Sequence, residues 1–395
     1  MPPKKDNITQ VFKLARSTAK LVMQYSTLIV GIVIIIALII WTSTKLTLNK
    51  KNCTNMDALT EIMKKKNTIG PLKNKDCNYN LNAFYIKTAY NCCCAGNYKN
   101  DFVSLCALKN CISQGVRCLD FEIYSLNDMP VVCASSVNNN TIKETYNSVP
   151  FDQAMTTIVN HALGDSPGIT CPNPTDPLIL HLRIMSNNVN IYNKIAKIFA
   201  SKDLAEYILG PKYSYQFSGG SGNPSKNAGA NIPIIHLRKK IFIMVDANNA
   251  EYPIFEKTGL SEYVNLATNT TSGYAQTKRF LDVKNAQPSM QALIDYNKKG
   301  ITVCIPDLSP TASNYSFNIA KSKGCQMIAM CFQSNDPQLH AYSAMFYEKG
   351  VAFVRKPDDL LEDIICIKPP DPPRQPIVPT EVELVVDGKT LSTAL

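Results

Sequence analysis

The sequence is poor in histidine and lacks any pattern typical of a zinc site. Only four histidines occur in 395 residues, and the fourteen cysteines form no Cys-x-x-Cys pair and no Cys/His spacing. The absence of these spacings excludes the usual structural zinc motifs.

Acidic residues are scarce in the first 66 residues. This segment contains eleven Lys and Arg side chains but only Asp6, Asp57 and Glu61 as acids, so it carries +8 of the formal net charge of +10. A basic skew of this kind fits nucleic acid or an anionic membrane surface as a partner.

Charge is absent from residues 21–41, which read "LVMQYSTLIVGIVIIIALIIW". A run of this length crosses a bilayer as a helix. We therefore expect a single-pass membrane protein with a transmembrane helix at 21–43, and no nucleic-acid partner. A cleaved signal peptide is the alternative, although the preceding basic segment is long and no small-x-small cleavage pattern is evident. Lys and Arg flank both ends in similar numbers, which leaves the side of the membrane undetermined.

The cysteines leave the compartment open, since they suit either disulfides in an oxidising lumen or small apolar side chains in a reducing one. Several lie inside apolar, strand-like runs, where we expect them to pack in a core. These are Cys118, Cys133, Cys304, Cys325 and Cys331.

Beyond a polar stalk at 44–80, strand-like and helix-like segments alternate. Two helix-like stretches, 101–114 and 187–200, have apolar residues recurring at three and four positions. The strand-like runs are "AFYIKTA", "VRCLDFEIY", "MPVVCA", "PLILHLRIM", "KKIFIMVDA", "GITVCIP", "QMIAMCFQ" and "GVAFVRKP". Eight strand–helix repeats predict a parallel (β/α)8 TIM-type barrel, and the 45% hydrophobic content suffices for its core.

Alternation within two of these strands predicts polar groups inside the barrel. In "RCLDFEI" Asp120 and Glu122 share one face, and Leu119, Phe121 and Ile123 share the opposite one. In "LILHLRIM" His181 and Arg183 share a face in the same way. Barrel enzymes place their chemistry at the carboxyl ends of strands. A buried ion pair between a carboxylate and Arg183 that only fixes the core is the alternative.

Several longer runs resemble one known family. "FYIKTAYN", "GVRCLDFEIYSLNDMPVVCASS" and "DPLILHLRIMS" resemble the X half of eukaryotic-type phosphoinositide-specific phospholipase C. "YNKKGITVCIP", "ASNY", "KGCQMIAMCFQS" and "KGVAFVRKPDDLL" resemble its Y half, in the same order. The resemblance spans about residues 82–362 and implies the PLC-like phosphodiesterase barrel.

This reading divides the chain into seven segments. They are a basic segment (1–20), the transmembrane helix (21–43), the stalk (44–80), an X-like half (81–200), a flexible linker (201–232), a Y-like half (233–362) and a Pro-rich tail (363–395).

The resemblance also implies that the catalytic site is degenerate. The family's two catalytic histidines fall on Tyr90 and Ala134. Its calcium-binding asparagine is kept as Asn91, and its two acidic calcium ligands fall on Asp120 and Glu122, with Asp and Glu exchanged.

Further positions of the family motif are replaced as well. The glutamate that binds calcium and helps to activate the inositol hydroxyl falls on Arg183. Headgroup-binding and phosphate-binding positions fall on Val303, Ile305 and near Met244. Bacterial members of the superfamily place an arginine where calcium would lie, so Arg183 is a candidate phosphate ligand. His181 is a weak candidate for a replacement acid.

We therefore expect a membrane-anchored, phospholipase C-like pseudoenzyme that binds a phosphoinositide headgroup, or a protein partner through the Pro-rich tail. An active phosphodiesterase with a divergent site and a structural membrane scaffold are the alternatives. No cofactor is expected, with calcium as the alternative if the degenerate site still binds it.

Overall fold

The computed structural model describes most of the chain. The described residues are 5–66, 68–139, 142–164, 168–215, 232–247, 254–270, 274–286, 290–362, 381–386 and 389–394. Residues 1–361 form one unit and residues 362–395 a second one.

Short runs rich in β-branched and other apolar residues form the sheet of the first unit. Its strands are β1 (Phe84–Ala89), β2 (Cys118–Leu126), β3 (Met129–Val132), β4 (Val149–Pro150), β5 (Leu178–Ile184), β6 (Ile241–Asp246), β7 (Leu266–Thr268), β8 (Ala275–Arg279), β9 (Ile301–Ile305), β10 (Met327–Met330) and β11 (Phe353–Arg355).

Eight of these strands form a nearly closed parallel barrel, in the order β7-β6-β5-β2-β1-β10-β9-β8. In the described part of the chain, Asn269 joins β7 to β8 by hydrogen bonds to the backbone of β8. Its N–H donates to the Ala275 carbonyl at 2.9 Å, and its side-chain oxygen accepts from the Thr277 N–H at 3.0 Å. The predicted TIM-type fold is confirmed.

Two predicted barrel strands lie outside the barrel. "MPVVCA" contains β3, which pairs antiparallel with β2, and "GVAFVRKP" contains β11, which pairs antiparallel with β1. The barrel strands that the sequence pattern did not predict are β7 and β8. The first has three residues and the second reads "AQTKR", so neither shows an apolar run.

Helices cover the outside of the barrel, except for the amino-terminal part of the first one. They are α1 (Lys5–Lys66), α2 (Leu105–Ser113), α3 (Phe151–Ala162), α4 (Val189–Phe199), α5 (Lys202–Ala205), α6 (Phe280–Lys284), α7 (Met290–Lys299), α8 (Phe317–Ser322) and α9 (Pro337–Lys349). The amino-terminal part of α1 is long and apolar enough to cross a membrane, by length and composition.

The segment predicted as a polar stalk differs in the structure. Helix α1 continues to Lys66 and buries Met56, Leu59 and Met63 on one face against the barrel domain. A disulfide joins Cys53 of α1 to Cys106 of α2. The spacing of three and four residues between the buried side chains is that of an amphipathic helix, which the surrounding Lys and Asn residues obscured in the sequence.

Two other predicted boundaries also shift. Leu204, Leu209 and Tyr215 are buried, so the first half of the barrel domain extends to residue 215, and the Gly/Ser-rich part of the linker, 216–231, lies outside the described residues. Residues 363–380 of the predicted Pro-rich tail also lie outside the described residues. The second unit contains an antiparallel pair, β12 (Glu381–Val386) and β13 (Lys389–Ala394).

The cysteines in the strand-like runs are core residues, as expected. Cys118, Cys304, Cys325 and Cys331 are completely buried and Cys133 nearly so. All five have free thiols. They pack in the core, and the thiols of Cys304, Cys325 and Cys331 also contact polar groups of Tyr315, Asn297 and Tyr98, respectively.

A lysine is also buried between the barrel and its helices. Lys87 on β1 is inaccessible to solvent, its Nζ donates to the Gln114 carbonyl at 2.8 Å, and it lies 4.3 Å from the centre of the Tyr347 ring. Burial lowers the pKa of Lys87 from 10.5 to about 7.

We predict that Lys87→Met changes how stability depends on pH. Between the folded pKa of about 7 and the unfolded value of 10.5, the unfolded chain binds the lysine proton more tightly, so raising the pH stabilises the wild type. Below that window the wild type carries the full cost of a buried charge, which methionine lacks. The melting temperature of Lys87→Met minus that of wild type should therefore be largest near about pH 6 and decrease towards about pH 9.

The exposed Lys349→Met serves as the control and should differ from wild type by the same amount at every pH. A constant difference for Lys87→Met across this range would show that Lys87 keeps an ordinary pKa in the folded protein.

Candidate functional site

Two carboxylates and an arginine meet inside the barrel at the carboxyl ends of its strands, an end that we call the mouth. Asp120 and Glu122 lie on β2, and in the β2–β5 register they pair with His181 and Arg183, respectively. The side chains of Asp120, Glu122 and Arg183 are at most 5% exposed. Because side chains alternate along each strand and paired residues of neighbouring strands point the same way, all four converge in the interior.

Arg183 is bound on both sides by carboxylates. Its Nε and Nη2 donate to the two oxygens of Asp120, at 3.0 and 2.9 Å, and its Nη1 donates to Glu122 Oε2 at 3.2 Å. The Tyr90 ring covers the guanidinium, with 4.8 Å between the ring centre and Cζ. A bidentate pair of this kind is among the stronger charge-assisted hydrogen bonds in proteins.

Asn91 completes the arrangement from the loop after β1. Its backbone has φ 42°, a left-handed conformation that asparagine tolerates better than most residues. Its N–H donates to Asp120 Oδ1 at 3.0 Å and its Nδ2 to Glu122 Oε2 at 3.1 Å. Its Oδ1 accepts from Arg183 Nη2 at 2.6 Å. Both carboxylates and the arginine therefore have partners within the chain.

Tyr124 is a member of this cluster that the sequence analysis missed. Its hydroxyl donates to Glu122 Oε1. Burial, together with the Glu122 charge, raises the pKa of Tyr124, so the phenol stays protonated and remains a donor. The signal was present in the sequence, because Tyr124 lies two residues after Glu122 on the same face of β2.

His181 lies one layer deeper than Arg183 and is completely buried. Its Nδ1 is 2.7 Å from Asp120 Oδ2, and its Nε2 is 3.2 Å from Thr277 Oγ1 on β8. Both ring nitrogens are therefore engaged by the protein. Thr277 was also missed, because β8 was not recognised as a strand.

The ion pair sets the protonation of its members. Burial alone raises the pKa of Asp120, but the Arg183 guanidinium and the His181 hydrogen bond outweigh it and hold the pKa well below the usual range. Burial would lower the pKa of Arg183, and the neighbouring Asp120, Tyr90 and Glu122 more than reverse this. The charges of Asp120 and Arg183 are thus fixed at neutral pH.

The two positions that the resemblance assigns to the family's histidines offer no proton exchange at neutral pH. Ala134 is buried and has no titratable group. Burial raises the pKa of Tyr90 to about 12, so the phenol is protonated. Val303, Ile305 and Met244 are buried as well and carry no charge.

Arg279, at the carboxyl end of β8, is a cation at the mouth that the sequence analysis did not single out. It is half-buried, and its Nη1 donates to the Pro306 carbonyl at 2.7 Å and to the Tyr90 hydroxyl at 3.5 Å. Within the described part of the chain it forms no ion pair with a carboxylate, in contrast to Arg183.

Comparisons with known proteins agree with this architecture. The family model "Phosphatidylinositol-specific phospholipase C, Y domain" matches residues 259–359. Crystal structures of PLC21 from S. officinalis and from L. pealei superpose with TM-scores of 0.56 and 0.55, at 19% and 18% sequence identity. The chain is a phosphoinositide-specific phospholipase C-like protein.

The likeness has a limited extent. Each structural alignment covers 72% of this phospholipase C-like chain but only 38% of the PLC21 chain, and at these identities it shows the fold alone. No curated protein sequence is significantly similar to the chain.

The residues to which the resemblance assigns calcium binding do not fit a calcium ion. Calcium prefers six to eight oxygen ligands. Here the oxygens of Asp120, Glu122 and Asn91 that would supply them accept hydrogen bonds from within the chain, most of them from Arg183. The guanidinium brings a positive charge to the place of the ion, and both cannot be held there together.

We predict that Arg183→Glu makes the stability of the protein depend on calcium. Arg183→Met should lower the free energy of unfolding by roughly 3–5 kcal/mol, because it leaves buried carboxylates unpaired. Arg183→Glu removes the same ion pair but supplies a third carboxylate beside Asp120 and Glu122, so millimolar calcium should recover part of the loss.

Thermal melts with calcium and with chelator measure the effect. Wild type and the uncharged variant Arg183→Met should each melt at the same temperature with calcium as with chelator, because neither adds an oxygen ligand. Equal melting temperatures for Arg183→Glu in the two conditions would show that these oxygens cannot surround one ion.

Proposed function

We propose that the protein is a membrane-anchored, phospholipase C-like pseudoenzyme that binds an anionic lipid headgroup at the barrel mouth without hydrolysing it. The main support for the proposal is the bidentate pairing of Arg183 with Asp120, together with the hydrogen bond from Arg183 to Glu122. It neutralises the carboxylates from within and leaves neither the carboxylates nor the arginine available to a substrate.

Hydrolysis of an inositol phosphodiester by the 2-hydroxyl needs a base for that hydroxyl, an acid for the leaving oxygen and positive charge at the phosphate. Tyr90 stays protonated and Ala134 cannot exchange a proton. His181 uses both ring nitrogens beneath Arg183, out of reach of a ligand at the mouth. General acid–base catalysis contributes on the order of 10²–10⁴ per group, so the loss of both groups supports inactivity.

The amino-terminal part of α1 supports membrane anchoring. The apolar side chains of residues 21–41 are exposed along the helix and have no packing partner among the described residues. An exposed apolar surface of this length is costly in water and suits the hydrocarbon core of a bilayer.

Arg279 supports headgroup binding. It replaces Arg183 as the candidate phosphate ligand, because its charge has no carboxylate partner in the described part of the chain and it lies at the mouth. Guanidinium groups bind phosphate through paired, charge-assisted hydrogen bonds.

We predict that the full-length protein in mixed micelles hydrolyses phosphatidylinositol and its phosphates no faster than buffer, with or without calcium. The reason is that the base, the acid and a metal ligand are all replaced. Groups that act together do not contribute independently to the rate, so we predict a large loss of activity without multiplying separate factors. An active phosphoinositide-specific phospholipase C serves as the positive control. Calcium-dependent turnover comparable to the control would refute the assignment as a pseudoenzyme.

We also predict that inositol 1,4,5-trisphosphate binds to the full chain in detergent and that Arg279→Gln abolishes this binding in calorimetry. Lys278→Gln is the matched control, because Lys278 is the neighbouring cation on the opposite face of β8 and should leave the affinity unchanged. Equal loss of affinity in both variants would indicate unspecific attraction by basic residues, and no binding by wild type would remove headgroup recognition from the proposal.

A further inference from the structure

We infer that the barrel domain lies on the oxidising side of the membrane that α1 crosses, where the Cys53–Cys106 disulfide forms and locks α1 to the domain. The inference rests on the proposed membrane anchoring. It adds the side of the membrane, which the Lys and Arg residues flanking the span leave open, and a covalent attachment of the domain to its anchor.

The disulfide lies where α1 leaves the barrel domain. Met56, Leu59 and Met63 pack on the domain, whereas the apolar side chains of residues 21–41 are exposed. Cys53 lies three residues before Met56, at the end of the packed segment that is nearer to the span. Local opening begins at such an end, because few buried contacts hold the helix there. A covalent bond at this point therefore keeps α1 attached to the domain.

Hydrogen bonds on both sides of the disulfide bring its two cysteines together. On one side Asn52 Nδ2 donates to Asp101 Oδ1 at 2.8 Å, and on the other Asn110 Nδ2 donates to Asp57 Oδ1 at 2.8 Å. The Cα atoms of the two cysteines are 5.9 Å apart, a separation that a disulfide spans without backbone movement. The contact between α1 and α2 thus has the geometry that oxidation of the two thiols needs.

The exposure of the cysteines divides them into two groups. Cys53 and Cys106 are both partly exposed, and they are bonded to each other. The eleven other cysteines of the described residues are free and buried. Burial raises the pKa of thiols such as Cys111 and Cys325, so these thiols stay protonated and unreactive. The described part of the chain therefore exposes no free thiol to an oxidant, as suits an oxidising compartment.

The side of the membrane follows from the chemistry of the bond. Two thiols form a disulfide by losing two electrons and two protons to a disulfide-bearing oxidant, which becomes a dithiol. The lumen of the endoplasmic reticulum, the periplasm and the cell exterior preserve such bonds, whereas the thiols of the cytosol reduce them. A partly exposed disulfide is accessible to this reduction. The barrel domain is therefore assigned to the oxidising side, and the basic residues 1–20 to the cytoplasmic side, which agrees with the positive-inside rule.

Counting free thiols tests the bond. Full-length protein is synthesised with sealed microsomes of the endoplasmic reticulum, denatured without reductant and treated with a polyethylene glycol maleimide, which adds one mass step for each free thiol. Cys53→Ser should show one step more than wild type, because it releases the Cys106 thiol. Cys53→Ser/Cys106→Ser should show the same number as wild type. The matched control Cys111→Ser removes a buried free thiol of α2 and should show one step fewer.

Protease added outside the same microsomes tests the side of the membrane. We expect the barrel domain of wild type to be protected in intact vesicles and digested once detergent opens them. Digestion in intact vesicles would overturn the inference. So would a wild type with two more reactive thiols than the double variant, because no disulfide would then have formed. Release of the protein by alkaline carbonate would instead remove the membrane anchor of the proposed function, and the assignment of a side with it.

Thermal melts of the full chain in detergent test the lock. Reductant should lower the melting temperature of wild type and leave that of Cys53→Ser/Cys106→Ser unchanged, because only wild type has a bond to lose. Equal melting temperatures of wild type with and without reductant would show that the bond does not hold α1 to the domain.

Discussion

The buried guanidinium of Arg183 is the interaction on which the mouth of the barrel depends. It connects three neighbouring strands, because Asn91 follows β1, Asp120 and Glu122 lie on β2, and Arg183 lies on β5. Such a pair gains its energy only when every charge finds a partner, since desolvation of the ions is expensive. In this chain that condition is met by residues of the protein itself. The ion pair is thus a crosslink within the fold.

The crosslink extends through the interior to the far wall. His181 connects Asp120 to Thr277 on β8, and Thr277 is 2.8 Å from Thr268 on β7. Thr268 in turn donates to Asp246 on β6 at 3.2 Å. A continuous chain of polar contacts therefore joins the ion pair to the two strands where the barrel closes. In a water-poor interior these hydrogen bonds strengthen one another, and an unpaired member is costly.

The interior placement of Asp120, Glu122 and Arg183 was predictable because a strand has a period of two, and the apolar runs of β2 and β5 lie on the faces opposite to these residues. The pairing of Arg183 with a carboxylate could be stated only as an alternative, because the sequence does not show which strands are direct neighbours. The strand β3 intervenes between β2 and β5 in the sequence, and only its antiparallel pairing shows that β5 is the direct neighbour of β2.

Other features depend on tertiary contacts and produce only a weak pattern in the local sequence. Strands β7 and β8 are short and polar, and their extended form is stabilised by pairing with β6 and β9. The last turns of α1 contain Lys and Asn on their exposed side, and the helix becomes evident only when Met56, Leu59 and Met63 are seen to pack on the barrel domain. Tyr124, by contrast, was predictable from the sequence, because it follows the same alternation along β2 as Glu122.

The side chain of Asn269 has a consequence for the maturation of the protein. Its Nδ2 donates to Asp246 Oδ1 at 2.9 Å, and its Oδ1 accepts from the Thr277 N–H, so both ends of the amide are engaged where β7 meets β8. The sequence Asn269-Thr270-Thr271 is also an acceptor triplet for N-linked glycosylation. A glycan would replace one of the two hydrogens of Nδ2 and place a bulky, solvated group beside the hydrogen bond to Asp246. Modification of this triplet would therefore compete for space with the contacts that join β7 to β8.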